Sequence, residues 1–132
     1  MTSAFPGPSV AITRVGNIAA NLAAVRERVG DRLILVAVKA NGYGHGAVEV
    51  SRHLQESGLA DFLGVATSGE GAELRLAGIV LPILKLSVAR GPEVAVAAEN
   101  DLALVSVDSQ SVLEAGAAAV AAGRELALHL KI

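Results

Sequence analysis

The segment Val36-Ala-Val-Lys39-Ala-Asn-Gly-Tyr43-Gly-His45-Gly46 joins the end of an apolar stretch to a turn punctuated by glycine. The apolar stretch begins at Leu33 and is continuous to Val38, a pattern typical of a β-strand covered on both faces. Lys39 ends this strand, and the glycines that follow permit positive φ angles and close backbone approach. The segment therefore predicts a buried strand that delivers a lysine into a compact turn.

Outside this segment, apolar runs alternate with helical patterns at close intervals. Further strands are predicted at residues 62–66, 83–86, 102–107 and 126–132. Helices are predicted near residues 17–29, 46–57, 68–77, 91–99 and 109–122. Glycines stand where helix C-caps belong, at Gly30, Gly58, Gly78 and Gly123. Such a series predicts an α/β fold with parallel strands and right-handed crossovers.

Two parallel architectures fit this series, an open doubly wound sheet and a closed (β/α)8 barrel, and the spacing of the elements does not separate them. A barrel takes about 250 residues, whereas this chain supplies five strands and ends on one, so on the barrel interpretation we expect a truncated fold. The last strand places Leu126, Leu128 and Leu130 on one face and His129 and Lys131 on the other. In a barrel that second face would point into the interior near the carboxyl-terminal mouth.

Composition narrows the class of protein. The 132 residues are 52% hydrophobic and carry a net charge of -2, so no broad basic surface indicates nucleic acid or an anionic membrane as a partner. Cysteine is absent, which excludes disulfides and thiolate metal sites, and we expect no metal centre. The stretch Met1–Ser9 has no leader pattern, and no apolar run reaches the roughly 20 residues of a spanning helix. We therefore expect a cytoplasmic protein.

The Lys39 segment resembles the pyridoxal phosphate (PLP) lysine motif of alanine racemases, Lys-Ala-Asn-X-Tyr-Gly-His-Gly. The similarity extends from about Val10 to the last residue. It includes Phe62-Leu-Gly-Val-Ala-Thr67, Glu73-Leu-Arg-Leu-Ala-Gly78, Pro82-Ile-Leu84 and His129-Leu-Lys131-Ile. The resemblance implies that residues 1–132 are a partial N-terminal domain, about five βα strands of a PLP-binding (β/α)8 TIM barrel, without the C-terminal β domain. It also implies interconversion of L-alanine and D-alanine, D-alanine supply for peptidoglycan, and a homodimer for the full-length protein.

The resemblance assigns roles to three residues. Lys39 would form the internal aldimine with PLP and act as one of two catalytic bases. Tyr43 would contact the cofactor phosphate, although a turn tyrosine can also simply pack on its own loop. Lys131 would be the lysine that is often carbamylated and positions an active-site arginine, although an inward lysine can instead pair with an acidic neighbour.

Other polar residues receive plainer interpretations. His45 is interpreted as a local hydrogen-bonder, and His53 as the partner of Glu49 in an exposed i,i+4 pair. Lys85 lies inside an apolar run where the family usually has an aliphatic residue, and a surface-snorkelling lysine is the simplest interpretation.

Several functions remain open at this stage. An amino acid racemase of broader specificity would use the same Lys39 motif, and a non-catalytic PLP-binding barrel protein would keep the lysine without a second domain. A truncated gene product would have no activity. Because only one of the two bases lies in this chain, we expect the chain alone to be inactive.

Overall fold

The computed structural model describes residues 11–132, so the expectation about a leader in Met1–Ser9 and the first matched residue, Val10, lie outside the described residues. Five strands are present: β1 (Leu35–Ala37), β2 (Phe62–Val65), β3 (Ile83–Val88), β4 (Ala103–Ser106) and β5 (Leu128–Leu130). The helical segments are α1 (Val15–Val29), α2 (Lys39–Tyr43), α3 (Ala47–Ser57), α4 (Ser68–Leu76), α5 (Pro92–Glu99) and α6 (Ser109–Ala122). The predicted βα alternation is confirmed.

The strands form one parallel sheet whose spatial order is the order of the chain, β1-β2-β3-β4-β5. A doubly wound sheet requires the strand order to reverse at a switch point. Because no reversal occurs among the described strands, the doubly wound alternative is wrong. Consecutive parallel strands joined by helices are the arrangement of a (β/α)8 barrel.

The sheet is curled as well as ordered. The rings of Phe62 on β2 and His129 on β5 meet edge to face, with centroids 6.5 Å apart. Three strand spacings separate β2 from β5, which is about 14 Å on a flat sheet. The two rings therefore meet across a concave face, as they would on the inside of a barrel wall.

The hydrophobic core lies between the sheet and the helices. Leu63, Val65, Ile83 and Leu104 share the helix-facing side of their strands and are almost fully buried. Leu128 on β5 and Leu126 just before it pack against this core, whereas Leu130 at the end of β5 is 72% exposed. The concave side of the sheet is less covered than the helix-facing side, and Leu35 of β1, which lies on it, is 38% exposed.

Helix ends follow the sequence signals closely. Gly30, Gly58 and Gly123 cap their helices with positive φ, and Gly78 does so one residue beyond the cap of α4. None of the helices within residues 11–132 is long and apolar enough to cross a membrane. The same residues contain no cluster of three or more His, Asp or Glu side chains that could hold a metal ion.

Lys85 departs from expectation. It is 1% exposed, so the interpretation as a surface-snorkelling lysine is wrong. The register of β3 against β4 shifts between Lys85 and Val88, and this bulge leaves carbonyl groups without ladder partners. The Lys85 ammonium donates to the carbonyls of Ser87 and Val88 and lies 3.1 Å from a carboxylate oxygen of Glu93 on α5. A lysine is buried here because the bulge supplies acceptors that an aliphatic residue would leave unpaired.

We expect Lys85→Met to lower the free energy of unfolding by about 1–3 kcal/mol. The change removes the Lys85 donor from the bulge carbonyls and the charged partner from Glu93, which keeps its bond from the Ser68 N–H. The cost is moderate because the Glu93 side chain is 41% exposed. Adding Glu93→Gln should recover part of the loss. Urea unfolding measures both, with Lys131→Met at an exposed lysine as the control. Equal effects of Lys85→Met and Lys131→Met would contradict this account.

Asp108, the N-cap of α6, gives a pH dependence. The backbone N–H of Ser111 and the Arg90 guanidinium, each 2.7 Å away, together with the Ser111 hydroxyl lower the pKa of Asp108 from 3.8 to about 2. Because the folded state depresses this pKa, the stabilisation is complete above pH 3.8 and is lost as the pH falls through 2. Asp108→Asn should therefore flatten the fall in urea midpoint between pH 4 and 2, whereas Asp31→Asn at an exposed position should leave that fall unchanged.

Candidate functional site

Lys39 lies at the carboxyl end of β1, two residues beyond the last strand residue. The buried Val38 fixes this end, because its N–H donates to the carbonyl of Gly64 on β2 at 2.8 Å and so continues the ladder. Lys39 itself is half-buried. The carboxyl ends of the strands are where barrel enzymes place their reacting groups.

Beyond Lys39 the backbone winds left-handed for a full turn, which we call the Lys39 turn (α2, Lys39–Tyr43). The φ and ψ angles are 51° and 51° at Ala40, 53° and 46° at Asn41, and 61° and 39° at Gly42, and φ is 54° at Tyr43. Left-handed helical backbone costs an L-residue roughly 1–2 kcal/mol. The predicted glycine turn is confirmed, but it is more strained than expected, because three residues with side chains share the conformation.

Local hydrogen bonds hold this turn in place. The N–H of Gly42 donates to the carbonyl of Val38 at 2.7 Å, and the N–H of Gly46 donates to the carbonyl of Asn41 at 3.0 Å. The Asn41 side chain accepts from the N–H of Ala47 at 2.9 Å and so ties the turn to the start of α3. Because these N–H groups bond within the segment, they are not free to cradle a phosphate.

A carboxylate from the next βα unit is hydrogen-bonded to the Lys39 turn. Glu70 on α4 accepts from the N–H of Ala40 at 2.7 Å with one oxygen, and from the N–H groups of Ala66 and Thr67 at 2.7 and 3.1 Å with the other. Partial burial raises the pKa of Glu70, but the three N–H donors and the nearby Lys39 charge outweigh it, and the net pKa is lowered. Glu70 is therefore an ionised bridge between the ends of β1 and β2.

The remaining polar residues of the turn have distinct surroundings. The Tyr43 side chain is 59% exposed, which leaves its hydroxyl accessible. Nδ1 of His45 donates to the carbonyl of Gly42 at 2.9 Å, so the interpretation as a local hydrogen-bonder is confirmed. His53 was expected to pair with Glu49 in solvent, but its Nε2 is enclosed without a partner among the described residues, and that interpretation is wrong.

Lys131 lies at the same end of the sheet but on its far edge. It follows β5, its side chain is exposed, and its N–H donates to the carbonyl of Ser106 at 2.9 Å. The structure thus brings Lys39 and Tyr43 together in one turn and leaves Lys131 four strands away. In a closed eight-stranded barrel the first and fifth strands lie opposite each other, so Lys131 would stand across the mouth from Lys39.

The residues at this edge fit a cofactor that is bound through an amine. None of the ion pairs within residues 11–132 includes Lys39, so its amine is not committed to a carboxylate. Tyr43 supplies an accessible hydroxyl for an anionic group.

A concave cavity of about 370 Å³ lies elsewhere and borders Val80, Asp101 and Leu102, which precede their strands. It is therefore at the amino end of the sheet, and its volume does not mark the site.

Sequence reasoning missed Glu70. A signal was present, because Thr67-Ser-Gly-Glu70 has the spacing of a capping box, and both capping hydrogen bonds form at α4. That pattern predicts a helix start. It does not predict that the second carboxylate oxygen reaches the neighbouring strand.

Comparison with known proteins agrees with this geometry. A family model described as "Alanine racemase, N-terminal domain" matches residues 14–132. The chain is 49% identical over 127 residues to the alanine racemase of Cutibacterium acnes, covering 96% of this chain and 34% of that protein. It is 36% identical over 126 residues to alanine racemase 2 of Caldanaerobacter subterraneus subsp. tengcongensis, covering 95% and 32%. The chain thus spans about a third of the length of these relatives.

Solved structures show the same likeness. The alanine racemase of Clostridium difficile 630 in complex with cycloserine matches with a TM-score of 0.85 and 29% identity, over 94% of this chain and 34% of that one. The alanine racemase of Streptomyces lavendulae matches with a TM-score of 0.79 and 37% identity, over 93% and 34%. The five parallel strands are therefore those of the N-terminal part of the alanine racemase barrel, and this chain belongs to the alanine racemase family.

Proposed function

We propose that the protein carrying this chain interconverts L-alanine and D-alanine, with PLP held covalently by Lys39. The observation that carries the proposal is the placement of an uncommitted, half-buried lysine at the carboxyl end of β1, in a strained turn within the matched segment. The relatives that share this segment are alanine racemases. A strained backbone at such a position is typical of a functional site.

The chemistry explains why a lysine is needed there. When bound, PLP withdraws electrons from the Cα atom of an attached amino acid and so acidifies its proton. Lys39 would have two roles: its amine would hold the cofactor, and the same amine would remove or return the proton at Cα from one face. Racemisation also needs a base on the opposite face, and that base is part of the proposal for the whole protein.

The other predicted residues support these steps. The Tyr43 hydroxyl would donate to the cofactor phosphate, a role consistent with the exposure of this side chain on the Lys39 turn. Lys131 remains a prediction as a modified lysine at the end of β5, where carbamylation would convert a cation into an anion that can orient a guanidinium. The homodimer, the cytoplasmic location and the C-terminal β domain outside these residues also remain part of the proposal.

We expect PLP to bind covalently at Lys39 of this chain. Mixing the two should give a visible absorbance band, and borohydride reduction should fix the cofactor on one lysine of three. Peptide mapping identifies that lysine. Lys39→Arg should remove the Lys39 adduct and most of the band, because a guanidinium cannot form the imine bond at neutral pH.

The two other lysines make this test specific. Lys85 is engaged by Glu93 and by backbone carbonyls, whereas Lys131 is exposed and reports on nonspecific modification. Attachment mainly at Lys85 or Lys131 would show that the site lies elsewhere.

We further expect Lys39→Ala to lower racemisation by the protein that carries this chain at least about a thousandfold, since the variant loses the cofactor tether and a proton-transfer group. Formation of D-alanine from L-alanine, followed with a D-amino-acid oxidase, measures this. Arg28→Gln on the exposed face of α1 is the control and should retain activity. If PLP binds at Lys39 and no racemisation occurs, the hypothesis of a non-catalytic PLP-binding barrel protein is supported instead. If serine or other amino acids turn over equally well, the broader-specificity racemase is supported.

A further inference from the structure

The Glu70 carboxylate accepts from Ala40, which lies 30 residues before it in the chain, and from Ala66 and Thr67, which lie just before its own helix. One oxygen accepts from Ala40, the first left-handed residue of the Lys39 turn, and the other accepts from Ala66 and Thr67 after β2. All three donors are backbone N–H groups at the carboxyl edge of the sheet. The three hydrogen bonds therefore link the end of β1 to the end of β2, and Glu70 is the one side chain that takes part in them.

This bridge exceeds what a helix cap requires. At α6, Ser111 occupies the equivalent third position and accepts from the N–H groups of Val107 and Asp108. At α4, Glu70 makes the matching contacts with Ala66 and Thr67 and, because its side chain is longer, also reaches Ala40. The contact with Ala40 is thus additional to the capping function.

The contact acts directly on Lys39. The N–H of Ala40 belongs to the same planar peptide unit as the carbonyl of Lys39. A hydrogen bond to that N–H therefore restrains the orientation of the peptide plane that joins Lys39 to Ala40. On the basis of the proposed function, we infer that Glu70 is a positioning residue that holds the Lys39 turn in its left-handed conformation and thereby aims the Lys39 amine at the cofactor. Glu70 itself takes no part in the proton transfer.

The charge of Glu70 supports this role. Three N–H donors meet one carboxylate, so the group is ionised at neutral pH and its hydrogen bonds are of the stronger, charge-assisted kind. The turn they hold contains Ala40, Asn41 and Tyr43, which are all non-glycine residues with positive φ. A strained segment of this kind persists only where its surroundings determine it.

Three variants of the chain separate positioning from capping. Glu70→Ala removes all three contacts, and Glu70→Gln keeps one acceptor oxygen. Thr67→Ala removes the other half of the same capping box, the bond from the Glu70 N–H to the Thr67 hydroxyl, and leaves Ala40 bonded. Thermal unfolding followed by circular dichroism verifies that each variant is folded, and if Glu70→Ala is not, Glu70→Gln carries the comparison.

The first readout needs no cofactor. Amide hydrogen exchange at Ala40 and Gly42, measured by NMR, should accelerate about tenfold or more in Glu70→Ala, as expected for the loss of a hydrogen bond to a charged group. The acceleration should be smaller in Glu70→Gln and less than about twofold in Thr67→Ala. The second readout is the rate of PLP attachment and its distribution over the lysines after borohydride reduction. Glu70→Ala should slow attachment at Lys39 about tenfold and raise the share at Lys131.

The outcomes distinguish this inference from the proposed function. Unchanged exchange at Ala40 in Glu70→Ala, or equal effects in Thr67→Ala and Glu70→Ala, would overturn the positioning role. If the exchange results hold but the unaltered chain does not bind PLP at Lys39, Glu70 still holds the turn and the proposed function fails instead.

Discussion

The structure depends on how the backbone groups at the carboxyl edge of the sheet are satisfied where the strand ladder ends. Parallel strands bring all these ends to one side, and buried N–H and C=O groups there require partners. Glu70 satisfies the groups between β1 and β2, and the Ser87 hydroxyl donates to the carbonyl of Ala66 between β2 and β3. Lys85 and Glu93 continue this chain of contacts to α5. The Lys39 turn is bonded to the Glu70 end of this series of contacts. These contacts hold the strained backbone of the turn in one conformation.

The amino edge of the sheet is closed by different groups, and the contrast supports the carboxyl edge as the place of the proposed site. Arg75 donates to four backbone carbonyls, those of Ile79, Leu81, Asn100 and Asp101. Arg26 pairs with Asp61 at 2.7 Å, and Asp61 also accepts from the N–H of Ile34. These groups use their hydrogen-bonding capacity on the protein itself. At the carboxyl edge, no ion pair among residues 11–132 includes Lys39, and the Tyr43 side chain is 59% exposed. These two groups therefore remain available to a ligand, which supports the Lys39 turn rather than the amino-edge cavity as the proposed site.

The sequence predicted the order of elements because each strand and helix buries one face against the core, and apolar periodicity reports that burial. It could not choose between barrel and open sheet, since that choice depends on strand order and curl, as the Phe62–His129 contact shows. Lys39 was singled out by its motif, but the left-handed winding was not predicted, because intrinsic preference disfavours it at Ala40 and Tyr43 and only tertiary contacts select it. Lys85 was misjudged for a related reason: a bulge that frees carbonyls leaves no pattern in a run of apolar residues.

Two lysines near one edge of the sheet show how the fold gives two amines different surroundings. Lys85 lies within β3 and pairs in register with the buried Val65, so it points toward the helices, where Glu93 and the groups of Ser87 engage its ammonium. Lys39 lies beyond the end of β1, where the chain leaves the ladder, and no carboxylate among the described residues pairs with it. An amine can attack a carbonyl only when it is free to lose its proton and approach the carbon. Strand parity and the position of the last ladder bond therefore give the two lysines different surroundings, which supports Lys39 rather than Lys85 as the nucleophile of the proposed function.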